Sequence, residues 1–307
     1  MKVLLIGFGS IGRRHRDTLI DLIPDTFVDI VSSHAKGGEA QFPSLAQVPD
    51  LDRYDYFLVC SETSSHLSTL KVLNTKVHGK RILVEKPVFM APLTEPLELH
   101  NDVFVGYNLR YHPVLERIRE LLISRHPLVV SAMAGQYLPG WRPSVDHRLS
   151  YSSHKGKGGG VLLDLSHELD YLAWLFGPTI DIKAIDERVS SVTVDSDDIM
   201  VCIGHTTKGV VFNLQLDYLS RIPQRRIVIH CEDCTIIADL VASTIDIRED
   251  SKEPVKIAFD SVDRNQTYRL MHEDILLHKG SVACTYGEAS DLMRTIEMIR
   301  TSQERGC

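Results

Sequence analysis

The 307-residue chain lacks several things that would settle its class at once. No apolar run approaches the roughly 18 residues a membrane-spanning helix needs, and the opening Val3-Leu4-Leu5-Ile6 is too short for a signal-peptide hydrophobic region. A cytoplasmic protein with no membrane partner is therefore expected. Basic excess is missing too: 34 Lys and Arg face 41 Asp and Glu, a net charge of −7. That balance excludes a dedicated nucleic-acid binder, which needs surplus cations for phosphate contacts. Cysteine is thin, with Cys60, Cys202, Cys231, Cys234, Cys284 and Cys307 scattered through a long chain, whereas a disulfide framework packs them densely into a short one. Reduced thiols are expected. Composition is otherwise that of an ordinary globular protein, 43% hydrophobic and 24% charged, and the length suggests roughly two domains. Small-molecule chemistry is the class left standing.

The N-terminal hundred residues alternate strand-like and helix-like segments. Lys2 to Ile6 reads as a buried strand, Gly7-Phe8-Gly9-Ser10-Ile11-Gly12 as a glycine turn, and the stretch to Ile23 as an amphipathic helix. In that setting Gly7 permits the tight turn, Gly9 lets the backbone approach a pyrophosphate, and Gly12 lets helix and strand pack closely. The anion would rest on unpaired amides at the helix start. Further strands are expected at Phe27–Ser32, Tyr56–Cys60, Arg81–Val84 and Val103–Val105. The second ends in Ser32-Ser33-His34-Ala35-Lys36, without the acid that would bind an adenosine 2′-hydroxyl. Hydroxyls and a cation there favour NADP, with NAD the alternative. Asp29 lies inside the strand and is not counted as the ribose ligand. Strands alternating with helices imply a parallel sheet with ligands gathered at the carboxyl ends, where Lys86 sits followed by Pro87. A solvated surface lysine is the plain alternative.

With these residues on the page the chain resembles the glucose-fructose oxidoreductase, inositol dehydrogenase and MocA family of NAD(P)-dependent oxidoreductases. The motifs are the glycine turn followed by His15, Thr63-x-x-His66, Glu85-Lys86-Pro87, and Gly158-Gly159-Gly160-x-x-x-Asp164 leading to His167-x-x-Asp170. The resemblance implies an α/β Rossmann domain over 1–106 and an α+β domain over 107–286 with an open-faced, mainly antiparallel sheet. It places a C-terminal helix within 287–307, packed near the Rossmann domain. It also implies a homo-oligomer, dimer or tetramer, formed through that sheet. The chain agrees independently: Pro113–Ser124 is an amphipathic helix, and from Ile180 to Phe259 short strand-like runs alternate with polar turns. The runs are Ile180–Val189, Ile199–His205, Val210–Leu216, Arg226–Cys231, Thr235–Leu240 and Val255–Phe259.

By the same resemblance, Lys86 binds the reacting hydroxyl and His167 relays its proton, with Asp164 or Asp170 as support. A helix-surface pair is the alternative for His167 and Asp170. Cofactor contacts fall to Gly7, Phe8, Gly9, Ser10, Ile11, Gly12, Ser32, Ser33, Lys36, Ser61, Glu62, Thr63, His66, Glu85, Lys86, Trp141 and Arg142. Substrate contacts fall to Lys86, Asn108, Arg110, Arg148, Asp164 and His167. Two departures stand out: Asp164 and His167 are three apart where the family spaces them by four, and Glu62 replaces a proline. Residues 137–160 carry Arg142, Arg148, Lys155 and Lys157 against Asp146 alone, which favours an anionic ligand such as an acidic or nucleotide-linked sugar of surface-glycan synthesis; the alternative is a solvated loop. Cys231-Glu232-Asp233-Cys234 reads as a hairpin in preference to a metal site, because no second pair follows. His15 and His66 read as helix-start packing residues. Two functions remain: a sugar-directed oxidoreductase, or a dinucleotide-binding sensor of the same fold that has lost turnover.

Overall fold

The structure is a computed structural model and describes residues 1–33, 41–141, 146–263 and 265–302. The chain divides into two compact units, Met1–Tyr111 with Asp263–Ser290, and His112–Val262 with Asp291–Cys307.

The first unit opens with β1 (Lys2–Ile6), α1 (Ser10–Leu22), β2 (Phe27–Val31), β3 (Tyr56–Val59), α2 (His66–Lys76), β4 (Arg81–Val84) and β5 (Asp102–Val105). β1 and β3–β5 are apolar and buried on both faces, as expected of parallel strands covered by helices. Chain order reverses at β1, which lies between β2 and β3, so the crevice beyond the ends of β1 and β3 is where such sheets bind ligands.

The second unit contributes α3 (Pro113–Leu122), β6 (Pro127–Gly135), α4 (Leu138–Trp141), α5 (Val161–Asp164), α6 (His167–Phe176) and seven strands. These are β7 (Thr179–Glu187), β8 (Ile199–Thr206), β9 (Val211–Asp217), β10 (Gln224–Cys231), β11 (Cys234–Asp239), β12 (Thr244–Glu249) and β13 (Val255–Ala258). They form an eight-stranded sheet in the order β13-β12-β11-β10-β6-β9-β8-β7, antiparallel except where β6 runs parallel to β9. Period-two alternation buries Met200, Phe212, Leu214, Ile227, Ile229 and Ile236 on one face, while Ile185, Ile203, Val211 and Ile237 stand exposed.

Then the chain returns. α7 (Gln266–Leu277) and β14 (Cys284–Thr285) rejoin the first unit, β14 pairing antiparallel with β5, and Met271 and Ile275 share a core with Val3, Leu5, Leu58 and Leu83. Asp274 fixes the return by accepting hydrogen bonds from Tyr111 Oη and from the backbone of Ser281, Val282 and Ala283. The division therefore differs from the expected 107–286 and 287–307. Residues 263–290 belong to the first unit because α7 has a buried face that the parallel sheet completes. The last helix, α8 (Tyr286–Ser302), belongs to the second unit from Asp291 on, and the Ala184 N–H of β7 donates to Ser302 Oγ. Among the described residues no helix is long and apolar enough to cross a membrane.

Candidate functional site

Three glycines shape the first turn, each by a different contact. Gly7 sits at φ +94°, and a Cβ on it would lie 2.5 Å from Ser61 N, so the ends of β1 and β3 close on each other there. A Cβ on Gly12 would stand 2.3 Å from Gly7 O, which seats α1 against the turn. One on Gly9 meets nothing among the described residues within 4 Å. No side chain among the described residues caps α1, and its first turn carries no acid, so its leading N–H groups face that open ground. Ser10 is exposed and Ile11 half-buried beside it. Phe8 is buried beneath the guanidinium of Arg13, 4.2 Å from its ring centre. At the end of β2, Ser32 and Ser33 are described and Lys36 lies outside the described residues. Asp29 accepts from Arg53 at 2.6 Å and from Tyr54 Oη at 2.7 Å, which removes it from the strand tip.

Beyond β3, Ser61 and Thr63 are half-buried and Glu62 is exposed. His66 is spent internally: its Nδ1 faces Pro87 O at 3.1 Å and its Nε2 faces Ser61 O at 3.0 Å. Burial lowers its pKa against the pull of those two carbonyls. Neutral, it carries one N–H, which donates to one of the two carbonyls, and its place between them braces the loops after β3 and β4. Glu85 is likewise committed, with Oε1 2.7 Å from His15 Nε2 and Oε2 accepting from Lys86 N–H at 3.2 Å. Lys86 is half-buried at the end of β4, and its peptide bond to Pro87 is cis.

Two residues expected to touch substrate do structural work in the first unit. Asn108 Nδ2 donates to Thr267 Oγ1 at 2.6 Å, and the buried Arg110 guanidinium donates to Glu288 at 3.0 Å and to Val282 O. Both hold the returning segment, whose packing the sequence reading did not include.

In the second unit the triple glycine is enclosed by the protein itself. A Cβ on Gly159 would lie 2.2 Å from Tyr151 O, and one on Gly160, at φ +114°, 2.1 Å from Asp197 Oδ1. Asp197 caps α5 twice, its carbonyl accepting from Val161 N–H at 3.1 Å and its Oδ2 from Leu162 N–H at 2.8 Å. That fixed turn ends in buried Asp164, whose Oδ2 accepts from Tyr218 Oη at 2.7 Å. Asp197 lies beside Asp186, whose carboxyl is pushed up to about 7 by burial and by its neighbour's charge. After Leu165 and Ser166 a new helix begins at His167, half-buried, with Asp170 buried one turn on. Behind them fully buried Glu168 pairs with Arg225 at 2.6 Å.

The basic loop is less basic than its composition. Arg148 is exposed and makes a two-oxygen pair with Asp146, and Arg142 lies outside the described residues. Trp141 is half-buried, its ring 5.8 Å from that of Tyr218. Cys231 and Cys234 close the β10–β11 hairpin, and their sulfurs lie with an Asp233 oxygen within 4.8 Å of one another. Burial pushes the Cys231 thiol up to about 12. Tyr218, Asp197, Tyr56 and His272 were not singled out from sequence. A lone tyrosine on a strand and one acid in Asp195-Ser196-Asp197-Asp198 carry no spacing that distinguishes them.

A parallel sheet covered by helices and an open-faced, mainly antiparallel one are joined in one chain, with a lysine at the end of β4. Residues 127–237 match the family model described as the GFO/IDH/MocA C-terminal domain. An uncharacterized oxidoreductase of Synechocystis sp. is 31% identical over 114 residues, 34% of this chain and 30% of that protein's length. The chain thus aligns with under a third of that relative. Among solved structures, a UDP-N-acetylglucosamine 3-dehydrogenase from Acidithiobacillus ferrooxidans superposes with a TM-score of 0.76 at 21% identity, covering 98% of this chain and 97% of that one. A levoglucosan dehydrogenase in complex with NADH reaches 0.83 at 15%, covering 99% and 97%. An Agrobacterium radiobacter oxidoreductase with NAD+, L-tartaric acid and magnesium reaches 0.81 at 14%, covering 100% and 97%. At these identities the likeness establishes the fold.

Proposed function

We propose that this protein is an NAD(P)-dependent oxidoreductase acting on a hydroxyl or ketone of a sugar derivative. The observation that carries the reading is the open ground at Gly9, where the protein leaves space beside the uncapped N-terminus of α1 for a pyrophosphate. The residues fit a dinucleotide, and a bound nicotinamide would supply the hydride acceptor. The chain supplies the rest. Lys86 offers a positive charge to stabilise alkoxide character on the reacting oxygen. His167 takes the hydroxyl proton, since imidazole titrates near neutrality. Asp164, fixed by Tyr218, is the carboxylate assigned to the substrate. Ser32 and Ser33, with no acid at the tip of β2, favour NADP over NAD.

The similar solved structures are named as acting on or holding hydroxylated small molecules, which supports a sugar substrate. An acidic or nucleotide-linked sugar is the finer proposal. It now rests on less than composition suggested, because Arg110 and Arg148 are engaged within the protein. The exposed apolar residues of the second sheet support a homo-oligomer formed through that face in a cytoplasmic enzyme.

The test is to titrate the protein with NADH and NADPH and then assay hydride transfer over neutral sugars, uronic acids and UDP-sugars. Lys86→Ala and His167→Ala should each lower kcat/KM about 10²-fold or more while dinucleotide affinity holds within about twofold. Tight dinucleotide binding with no turnover on any substrate overturns the enzyme reading in favour of a sensor.

A further inference from the structure

Four fully or nearly buried polar residues of the first unit form one line: Glu85 on the loop after β4, His15 on α1, His272 on α7 and Tyr56 on β3. His15 Nε2 is 2.7 Å from Glu85 Oε1, His15 Nδ1 is 2.8 Å from His272 Nε2, and His272 Nδ1 is 3.1 Å from Tyr56 Oη. We propose that Tyr56, His272 and His15 are positioning residues, a one-way hydrogen-bond chain that holds both Glu85 oxygens as acceptors and thereby anchors the backbone of Lys86. The proposal rests on the reading of Lys86 as the residue that meets the reacting hydroxyl.

The direction follows from counting hydrogens. Glu85 Oε2 already accepts from Lys86 N–H, and with Oε1 also accepting, His15 must carry its hydrogen on Nε2. Neutral His15 then accepts on Nδ1, so His272 donates from Nε2 and accepts on Nδ1 from the Tyr56 hydroxyl. Every hydrogen in the line then has one acceptor, and each imidazole acceptor nitrogen and each Glu85 oxygen has a donor. The opposite direction would require a protonated Glu85 and would turn the phenol hydrogen away from His272. Among the described residues Tyr56 makes no other side-chain hydrogen bond, so that hydrogen would be stranded in a fully buried site.

The surroundings favour an uncharged imidazole at His272. Burial, with His15 alongside, holds His272 well below the usual histidine range. A doubly protonated His15 would donate from Nδ1 and force the hydrogen of neutral His272 onto Nδ1, which again strands the phenol hydrogen. The other titratable groups at hand are Cys60 and Arg81 near Tyr56, and Tyr268, whose ring packs edge-on against His15. Gly106 completes the seat, since a Cβ there would lie 2.9 Å from Glu85 Oε1. α7 supplies the middle member of the line, 187 residues after Glu85 in the chain, which gives the returning segment a role beyond closing the core.

The test reads the tautomers directly, on the full-length, dinucleotide-free protein with 15N-labelled histidine. Expected at pH 7 are two neutral imidazoles, both carrying hydrogen on Nε2, with His272 not titrating between about pH 5.5 and 8. Tyr56→Phe, a variant that keeps the ring, should move the His272 Nδ1 resonance and lower kcat about tenfold with NADH affinity unchanged within about twofold. An imidazolium at either position at pH 7, a hydrogen on His15 Nδ1, or an unmoved kcat in Tyr56→Phe overturns the chain. If the tautomers are as stated but Lys86→Ala retains full turnover, the functional reading fails instead.

Discussion

Two runs of glycine, one in each unit, look alike on paper and do opposite things. In the first turn a Cβ on the middle glycine would meet none of the described residues within 4 Å, while Gly7 and Gly12 are pressed against backbone. In the second unit Gly159 and Gly160 both face protein, a carbonyl in one case and the Asp197 carboxylate in the other. On the proposed reading, the first motif withholds side chains so that a dinucleotide can enter. The second withholds them so that the chain can enclose itself and hold Asp164 against Tyr218. Glycine in a motif is thus evidence of close approach, and only the neighbours say whether a ligand or the protein does the approaching.

The contrast can be broken from several sides. The largest effect belongs to the second unit's interior: Arg225→Met strands the fully buried Glu168 carboxylate, and chemical denaturation should register a loss of about 3–5 kcal/mol. Next, Gly160→Ala forces a Cβ into Asp197 at a left-handed φ, and about 3 kcal/mol or more should be lost with dinucleotide affinity intact, as denaturation and NADH titration would show. Acid comes third. Burial, aided by Arg225, lowers His112 to about 4, so its folded pKa lies below the unfolded value of 6.5. Stability is complete above 6.5 and falls as pH drops toward 4, by about 3 kcal/mol from this residue, and His112→Gln should flatten that limb of a Tm-against-pH curve. Asp186 has the opposite sign: its raised pKa costs stability as pH climbs from the usual carboxylate range to about 7, so Asp186→Asn should raise Tm at pH 8 and not at pH 4. The smallest change in stability is expected where the first motif is open. Gly9→Ala should stay within about 1 kcal/mol of the parent in denaturation yet lose about tenfold or more in NADH affinity, and a variant that bound normally would remove Gly9 from the ligand's path.

Much of the molecule was legible from its residues. Most of the parallel strands announced themselves because both faces are buried and the runs are apolar, and most of the antiparallel strands because one face is buried and residues alternate. β6 and β12 went unread: β6 follows a helix without a turn signal, and Thr244-Ile245-Asp246-Ile247 is a short alternation inside a charged stretch. α7 also escaped notice, although Thr267, Met271 and Ile275 at i, i+4 and i+8 form a buried stripe. Its membership in the first unit had no local sign. Residue roles fared similarly. Lys86 and Gly9 stand in recognisable motifs, whereas nothing local shows that Glu85, Asn108 and Arg110, expected among the ligand contacts, hydrogen-bond with His15, Thr267 and Glu288 inside the protein.

By itself the order of apolar, polar and glycine residues determined two sheets of different kinds and the place of the lysine at the end of a strand, because periodicity and backbone freedom are local properties that each residue carries with it. Which polar groups face outward was decided only in three dimensions. A side chain's partner is whichever group folding brings within about 3 Å, and His272 reaches His15 across more than 250 residues of chain for reasons no neighbour in the sequence records.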